Sequence, residues 1–423
     1  MAKFIIEGGR PLAGEIEVAG AKNAALKIFP VALLTKETIR VSNMPEIEDC
    51  LRAGEMLQAL GYEVKKIKDR VFEFNPPAGG QSCVDLPENL VNKFRASIMF
   101  VGPLLAACGE VRFSHPGGCV IGATLRPIDM FLDGFRKMGA KVEIQEGRYH
   151  LSAKKLKGAE IFFHDITVTG TESLMMTACL AEGETILKNC AMEPEIPALA
   201  EFLNSIGAKI EGAGTPTIKI KGVKRLDGGE YKLIPDRLEV GTFAIMAAAA
   251  KDSDVLIKNC RPEHLESLWW RFDRIGINYT LEGDSVRVLS SKKLLACNAT
   301  THEYPGFATD LQSPYTVLMT QAEGLSLIHE TIYDRRLLFS DMLTQMGANI
   351  IMADPHRLIV NGPAKLYGRK MISQDIRAGI AVLIAALLAE GKTEIDNIYQ
   401  IDRGYERIDE RLRALGADIK RVE

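Results

Sequence analysis

At 423 residues the chain is too long for one compact core, and two domains of roughly 200 residues each are the first expectation. With 47% hydrophobic and 25% charged residues it has the make-up of an ordinary globular protein, and a net charge of −3 excludes a bulk pull toward nucleic acid or an anionic membrane. An anion site must then come from a local cluster of lysines and arginines.

The opening residues, MAKFIIEGG, have no signal-peptide apolar region. The longest apolar run, Gly379–Ala389, is too short to span a bilayer and reads as a buried helix. The eight cysteines (50, 83, 108, 119, 179, 190, 260 and 297) form no Cys-x-x-Cys pair, which speaks against zinc and thioredoxin-like chemistry. Scattered single cysteines in a chain of this size point to a reducing cytoplasm.

Along the chain one phrase recurs: a helix end, a glycine, then a strand. It appears as MLQALGYEV (56–64), FRKMGAKV (135–142), FLNSIGAKI (202–210), FDRIGIN (272–278), MLTQMGANI (342–350) and LRALGADI (412–419). The glycines 61, 139, 207, 276, 347 and 416 are spaced about 70 residues apart, a repeat-protein period. A residue just past a helix often needs positive φ, which glycine allows. A second phrase, a small-residue helix followed by a turn and a strand often ending in Asn, precedes it: AEGETILKN (181–189), KDSDVLIKN (251–259) and AEGKTEIDN (389–397). Each unit therefore reads strand, strand, helix, strand, helix, strand, with three units in each half. The stretches FIIEGGRPLAGEIEV (4–18) and IKIKGVKRLDGGEYKL (218–233) are alike. This predicts two pseudo-threefold α/β domains with the chain crossing twice, the first spanning 22–234 and the second 1–21 plus 235–423. A cleft between such domains is the default ligand site.

The repeat also sorts the polar residues. Lys22-Asn23, Arg95, Thr169-Gly170, Asp236-Arg237, Asp310 and Asp375 with Arg377 all fall where a strand hands over to a helix, a natural anion-binding position. Caps and surface charges are the plainer reading of any one of them. The segment from His115 to Gly139 is the longest of the six equivalent connections, and it holds Cys119 within SHPGGCVIGATLRP (114–127). Extra glycine-rich loop on a regular frame marks function or disorder. Gly117, Gly118 and Gly122 read as hinges of a lid.

Six motifs together resemble one family, the UDP-N-acetylglucosamine 1-carboxyvinyltransferases, also called enolpyruvyl transferases. They are GAKNAAL (20–26), PGGCVIG (116–122), EPEI (193–196), PDRLEVGT (235–242), YPGFATDLQ (304–312) and IDRGYERI (401–408), in order along the whole chain. The resemblance implies two inside-out α/β barrel domains of three βαβαββ-like units each, with the active site in the interdomain cleft. It also implies transfer of the enolpyruvyl group of phosphoenolpyruvate to the 3′-hydroxyl of UDP-N-acetylglucosamine, with release of phosphate. This would be the first committed step of peptidoglycan synthesis, in the cytoplasm, with no metal or organic cofactor. The partners would be these two small molecules, with neither nucleic acid nor membrane; the oligomeric state stays open.

The resemblance also assigns residues. Lys22 would lie beside the phosphate, with Arg126 and Arg403 as anion-binding arginines. Arg336 and Arg377 would meet the carboxylate, Asp310 would be the base on the sugar hydroxyl, and Asn23 would orient the sugar. Thr169 and Gly170 would hold the diphosphate, and Ile332 would be a further substrate contact. Arg95 and Arg237 would be secondary anion contacts. Cys119 would deliver a proton to the enol carbon or aid product release, carry a covalent phosphoenolpyruvate adduct, and be the target of the epoxide fosfomycin. A thiol near Lys22 and arginines has the raised thiolate character this requires. The family usually reads Cys-x-Ile-Gly-x-Arg-Pro, but here Thr124 and Leu125 intervene before Arg126, and Phe131 stands where a histidine is common. Either the loop bulges and restores Arg126, or that contact is altered.

The remaining features have plainer readings. Trp269-Trp270 predicts core or interdomain packing, Leu174-Met175-Met176 core, and the other seven cysteines core. The seven histidines show no ligand spacing, and GGRPLAG and GTPT are turns rather than phosphate loops. Two rivals remain: an enzyme like 5-enolpyruvylshikimate-3-phosphate synthase, and a non-catalytic paralogue that binds the sugar nucleotide. A relative of the RNA 3′-phosphate cyclases is disfavoured by net charge and by the lack of a fitting histidine.

Overall fold

The computed structural model describes residues 2–79, 84–117 and 128–423. The chain divides into two compact units, one of residues 1–19 and 235–423 and the other of residues 20–234. Each has its own hydrophobic core.

Among the described residues each unit carries three small sheets, and all six follow one plan. Five have four strands, with one parallel pair followed by two antiparallel pairs; Glu160–Phe162, Glu184–Lys188, Thr217–Lys221 and Ile210–Glu211 are an example in spatial order. The sixth, built on Glu110–Ser114, has three strands, and a parallel bridge between Asp85 and Arg112 stands at the fourth position. In chain order the pattern is strand, helix, strand, helix, strand, strand.

The first helix of each repeat is the buried one. Val168–Ala178, Arg237–Ala249 and Ile376–Leu388 are buried along nearly their whole length. A helix like Ile376–Leu388, apolar on every side past its first turn, has to lie inside a core. Gly102 in the helix Val101–Cys108 shows how closely these helices approach: a Cβ there would lie 2.1 Å from Thr177 Oγ1 on the next central helix.

Two connections separate a strand from its repeat's central helix. Ala13–Glu17 pairs in parallel with Asp254–Lys258, which follows the helix Arg237–Ala249. Gly229–Lys232 pairs in parallel with Ile39–Ser42, which follows the helix Lys22–Val31. The likeness between 4–18 and 218–233 has a structural basis. Lys3–Glu7 and Thr217–Lys221 each sit between the two strands that border their own repeat's second helix.

The repeat glycines do what their position predicts. Gly61, Gly139, Gly207, Gly276, Gly347 and Gly416 have φ of 92°, 92°, 103°, 82°, 108° and 96°. At each, the following amide bonds back to the carbonyl five residues earlier: Tyr62 to Leu57, Ala140 to Phe135, Ala208 to Leu203, Ile277 to Phe272, Ala348 to Leu343 and Ala417 to Leu412, at 2.9 to 3.2 Å. This is the Schellman helix stop, six times over.

The strand-end asparagines are equally regular, but in only four repeats. Asn43, Asn189, Asn259 and Asn397 have φ of 60°, 59°, 56° and 58°. Each donates its side-chain amide to a carbonyl at the end of the neighbouring parallel strand, respectively that of Leu233, Phe163, Val18 and Ser373, at 2.7 to 3.0 Å. The equivalent residues of the other two repeats are His115 and Glu330.

Two expectations need correction. Trp269 is buried and its indole N–H donates to Pro262 O at 2.7 Å, but Trp270 is 50% exposed, with the Arg274 guanidinium 4.0 Å from its ring centre. It is a surface residue because the helix Glu266–Ile275 buries only one face, and consecutive residues point to different faces. Gly117 is anchored rather than loose. Its amide donates to Val91 O at 3.1 Å, and a Cβ there would lie 1.9 Å from Asn92 O. Close backbone approach explains this glycine, while Gly118 and Gly122 lie outside the described residues.

Leu174, Met175 and Met176 are core. Cys50, Cys179, Cys190 and Cys260 are buried; Cys108 and Cys297 are half-buried, and Cys83 lies outside the described residues. Burial pushes the thiols of Cys179, Cys190 and Cys260 up to about 12, which leaves them unreactive. Among the described residues no helix is long and apolar enough to cross a membrane, and no cluster of His, Cys, Asp and Glu is arranged to hold a metal.

Candidate functional site

The strand-to-helix positions singled out in the sequence are all helix starts. Lys22 and Arg237 begin their helices, Arg95 begins the short 3-10 turn ahead of Val101–Cys108, and Thr169-Gly170 lie in the first turn of Val168–Ala178. Asp310 lies in the 3-10 turn Thr309–Leu311 that leads into Gln312–Met319. Asp236 and Asp375 are true caps. Asp236 accepts from the amides of Leu238 and Glu239, and Asp375 from those of Arg377 and Ala378, at 2.7 to 3.2 Å. The plainer reading therefore holds for these two aspartates.

In the unit of residues 1–19 and 235–423, three predicted residues come together. Asp310 Oδ1 accepts from Arg377 Nε at 2.5 Å and from Arg336 Nη2 at 3.4 Å. Burial alone pushes the Asp310 carboxyl up, but Arg377, Arg336 and the nearby Arg237 outweigh it and hold Asp310 well below the usual carboxylate range. Burial, together with the like charge of Arg377, draws Arg336 down to about 10. Two guanidinium groups thus face the Asp310 carboxylate, with Asp375 near Arg377 and Glu330 near Arg336, and their planar donor forks suit them to an external carboxylate.

Two residues that the sequence did not single out hold this cluster. Arg336 Nη1 donates to Thr309 Oγ1, and Thr309 donates in turn to Glu330 Oε2 at 2.8 Å. The other oxygen of Glu330 accepts from the amides of Ile332 and Tyr333 at 3.0 and 3.1 Å. Fully buried Glu330 therefore shapes the turn that carries Ile332 and leads to Arg336, whose guanidinium lies 4.2 Å from the centre of the Tyr333 ring. The signal was present in the sequence: Glu330 occupies a strand-end position where four of the six repeats have Asn. Arg237 is buried, 5.7 Å from the Tyr304 ring centre, and Arg403 donates to Gln400 Oε1 at 3.2 Å.

In the unit of residues 20–234, Lys22 Nζ lies 2.7 Å from Asp49 Oδ2 at the start of the helix Glu48–Ala59. Asn23 follows in the same turn. Gly170 donates its amide to the capping hydroxyl of Thr167 at 3.2 Å, and a Cβ there would lie 2.4 Å from Thr167 Cγ2. A side chain at Gly170 would therefore collide with the capping threonine. Arg95 is half-buried at its 3-10 start. Leading into the cysteine-bearing segment, His115 Nδ1 pairs with Tyr149 Oη at 3.1 Å. Cys119 and Arg126 themselves lie outside the described residues.

The family described as EPSP synthase (3-phosphoshikimate 1-carboxyvinyltransferase) matches residues 6–412. The chain belongs to this family, the enolpyruvyl transferases. Among its relatives, the UDP-N-acetylglucosamine 1-carboxyvinyltransferase of Koribacter versatilis is 46% identical, over 100% of this chain and 97% of the relative. The protein of the same name from Desulfatibacillum aliphaticivorans is 44% identical over 100% of both chains. In three dimensions the enolpyruvyl transferase NikO from Streptomyces tendae superimposes with a TM-score of 0.91 at 25% identity, covering 100% of this chain and 99% of that one. EPSP synthase from Acinetobacter baumannii shares the fold at a TM-score of 0.76 and 17% identity, over 100% of both. This enolpyruvyl transferase is thus nearer in sequence to the relatives acting on a sugar nucleotide, by their names, than to the EPSP synthase.

Proposed function

We propose that the protein transfers the enolpyruvyl group of phosphoenolpyruvate to the 3′-hydroxyl of UDP-N-acetylglucosamine. The observation that carries this reading is identity of 42–46% along the entire chain to relatives bearing that activity in their name. We assign the reaction to the cytoplasm, as the first committed step of peptidoglycan synthesis, without metal or organic cofactor.

In this reading Arg336 and Arg377 bind the carboxylate of phosphoenolpyruvate, while Lys22, Arg126 and Arg403 bind its phosphate. Asn23 orients the sugar, Thr169 and Gly170 hold the diphosphate, Ile332 lines the acceptor, and Arg95 and Arg237 add positive field. Cys119 gives a proton to the methylene carbon of the enol as the 3′-oxygen bonds to the neighbouring carbon, and Asp310 takes the hydroxyl proton. The tetrahedral adduct then loses a methyl proton and phosphate, which restores the double bond.

The arginine cluster gives Asp310 a condition for acting as base. Arg377 and Arg336, turned on it, hold its proton affinity below the usual carboxylate range. A substrate carboxylate arriving at the same arginines competes for their donors and sets a like charge beside Asp310, and both effects raise its affinity for a proton. Base strength therefore rises when phosphoenolpyruvate is bound.

The test is phosphate release from phosphoenolpyruvate, with and without UDP-N-acetylglucosamine. Release that depends on the sugar nucleotide is expected. Release that depends on shikimate 3-phosphate, or sugar-nucleotide binding with no release, would replace this reading by one of its rivals. Cys119→Asp is expected to keep activity and lose inactivation by the epoxide, since a carboxylic acid can also donate a proton. Continued covalent labelling of that variant would count against Cys119 as the target.

A further inference from the structure

Two charged side chains lie deep in the core of residues 20–234, where the reaction as assigned has no use for them. Lys27, on the helix that begins with Lys22 and Asn23, is buried, and Glu172, on the helix that begins at Val168, has 0% exposure. Lys27 Nζ donates to the carbonyl of Asn23 at 2.7 Å and lies 3.0 Å from Glu172 Oε2. Glu172 is two residues past Gly170 and three past Thr169. Between them, Thr171 accepts from the amide of Ala191 at 3.2 Å, which joins the same helix start to the turn leading to Glu193 and Glu195.

Stability does not require such a pair. Replacing a buried ion pair with well-packed apolar side chains is often neutral or stabilising. What this one does is geometric: it bolts together the first turns of two helices, one carrying Lys22 and Asn23, the other Thr169 and Gly170. The geometry points to Lys27 and Glu172 as a positioning pair that fixes the spacing of the two helix starts and so sets the affinity for the sugar nucleotide. The naming of that ligand rests on the function proposed above; the coupling of the two helix starts does not.

Glu172 also faces the carboxylates of Glu195 and Glu193. Burial raises its proton affinity, Lys27 opposes this, and the two glutamates add to it, leaving a value of about 7. The link between the helices is thereby sensitive to neutral pH.

The experiment compares wild-type protein with Lys27→Met/Glu172→Leu. The double variant is expected to unfold at or above the wild-type temperature. The amides of Ala25 and Thr171, which close the first turns of the two helices, are expected to exchange about tenfold faster. KM for UDP-N-acetylglucosamine is expected to rise about tenfold while kcat changes little, the signature of binding lost equally from ground and transition states. Glu172→Gln, which keeps volume and packing, carries the same exchange and KM expectations should the double variant fail to fold. Unchanged exchange at both amides in a folded variant overturns the inference, whatever the enzyme does. Absence of phosphate release from wild-type protein contradicts the assigned function instead, and the exchange comparison still decides the coupling.

Discussion

Two of the six strand ends differ from the other four, and both border the residues assigned to chemistry. At Asn43, Asn189, Asn259 and Asn397 a left-handed residue closes the strand, and its amide ties down the neighbouring strand. At Glu330 that tie is replaced by a carboxylate that shapes the turn before Arg336 and anchors it through Thr309. At His115 a ring paired with Tyr149 leads into the segment of Cys119. Where the repeat keeps its rule the residue ties the scaffold; where it breaks the rule the residue borders the site we propose.

This contrast can be broken experimentally, starting with the site itself. Asp310→Asn keeps the shape and removes the base, so phosphate release is expected to fall about 10²- to 10⁴-fold with folding intact. Lys27→Met leaves Glu172 buried without its cation. We expect a loss of about 3 kcal/mol in urea unfolding, at the lower end for a broken buried pair because Glu172 can take up a proton. Glu330→Asn gives the deviant repeat the regular residue. It is expected to fold but to lose about 30-fold in kcat/KM for phosphoenolpyruvate, since Arg336 loses the support of Thr309 and Glu330. The converse change, Asn259→Ala in a regular repeat, is expected to cost about 1 kcal/mol in stability and leave kcat unaltered. If Asn259→Ala lowered kcat as much as Glu330→Asn, the distinction between scaffold and site would fall.

A further expected effect is one of pH. The proton affinity of Glu172 is raised in the folded protein from 4.5 to about 7. The stability it contributes is therefore fully present below pH 4.5 and is lost as pH rises through about 7. Glu172→Gln removes that titration, so urea midpoints measured from pH 5 to 8 should fall less steeply than those of the wild type. Parallel slopes would contradict the assignment.

The sequence made the scaffold legible because its rules are local. A glycine just past a helix end, or a polar residue at a strand-to-helix junction, can be read within one repeat. All six glycines and all the junction residues lie where those rules put them. The contacts that tune the site join distant residues: Lys27 with Glu172, Lys22 with Asp49, Thr309 with Glu330, and Asp310 with Arg377. No periodicity announces such pairs, although a lysine inside the apolar helix Lys22–Val31 and a glutamate in place of Asn were visible irregularities. Trp270 misled because a tryptophan pair suggests core, whereas the helix can bury only one of the two.

The central claim is transfer of one enolpyruvyl group to the sugar nucleotide. It is tested most directly by mass spectrometry of UDP-N-acetylglucosamine incubated with the protein and phosphoenolpyruvate, with phosphate counted in the same sample. The account predicts an enolpyruvyl ether of the sugar nucleotide and one phosphate released for each ether formed. An unmodified sugar nucleotide alongside an enolpyruvyl ether on shikimate 3-phosphate would contradict it.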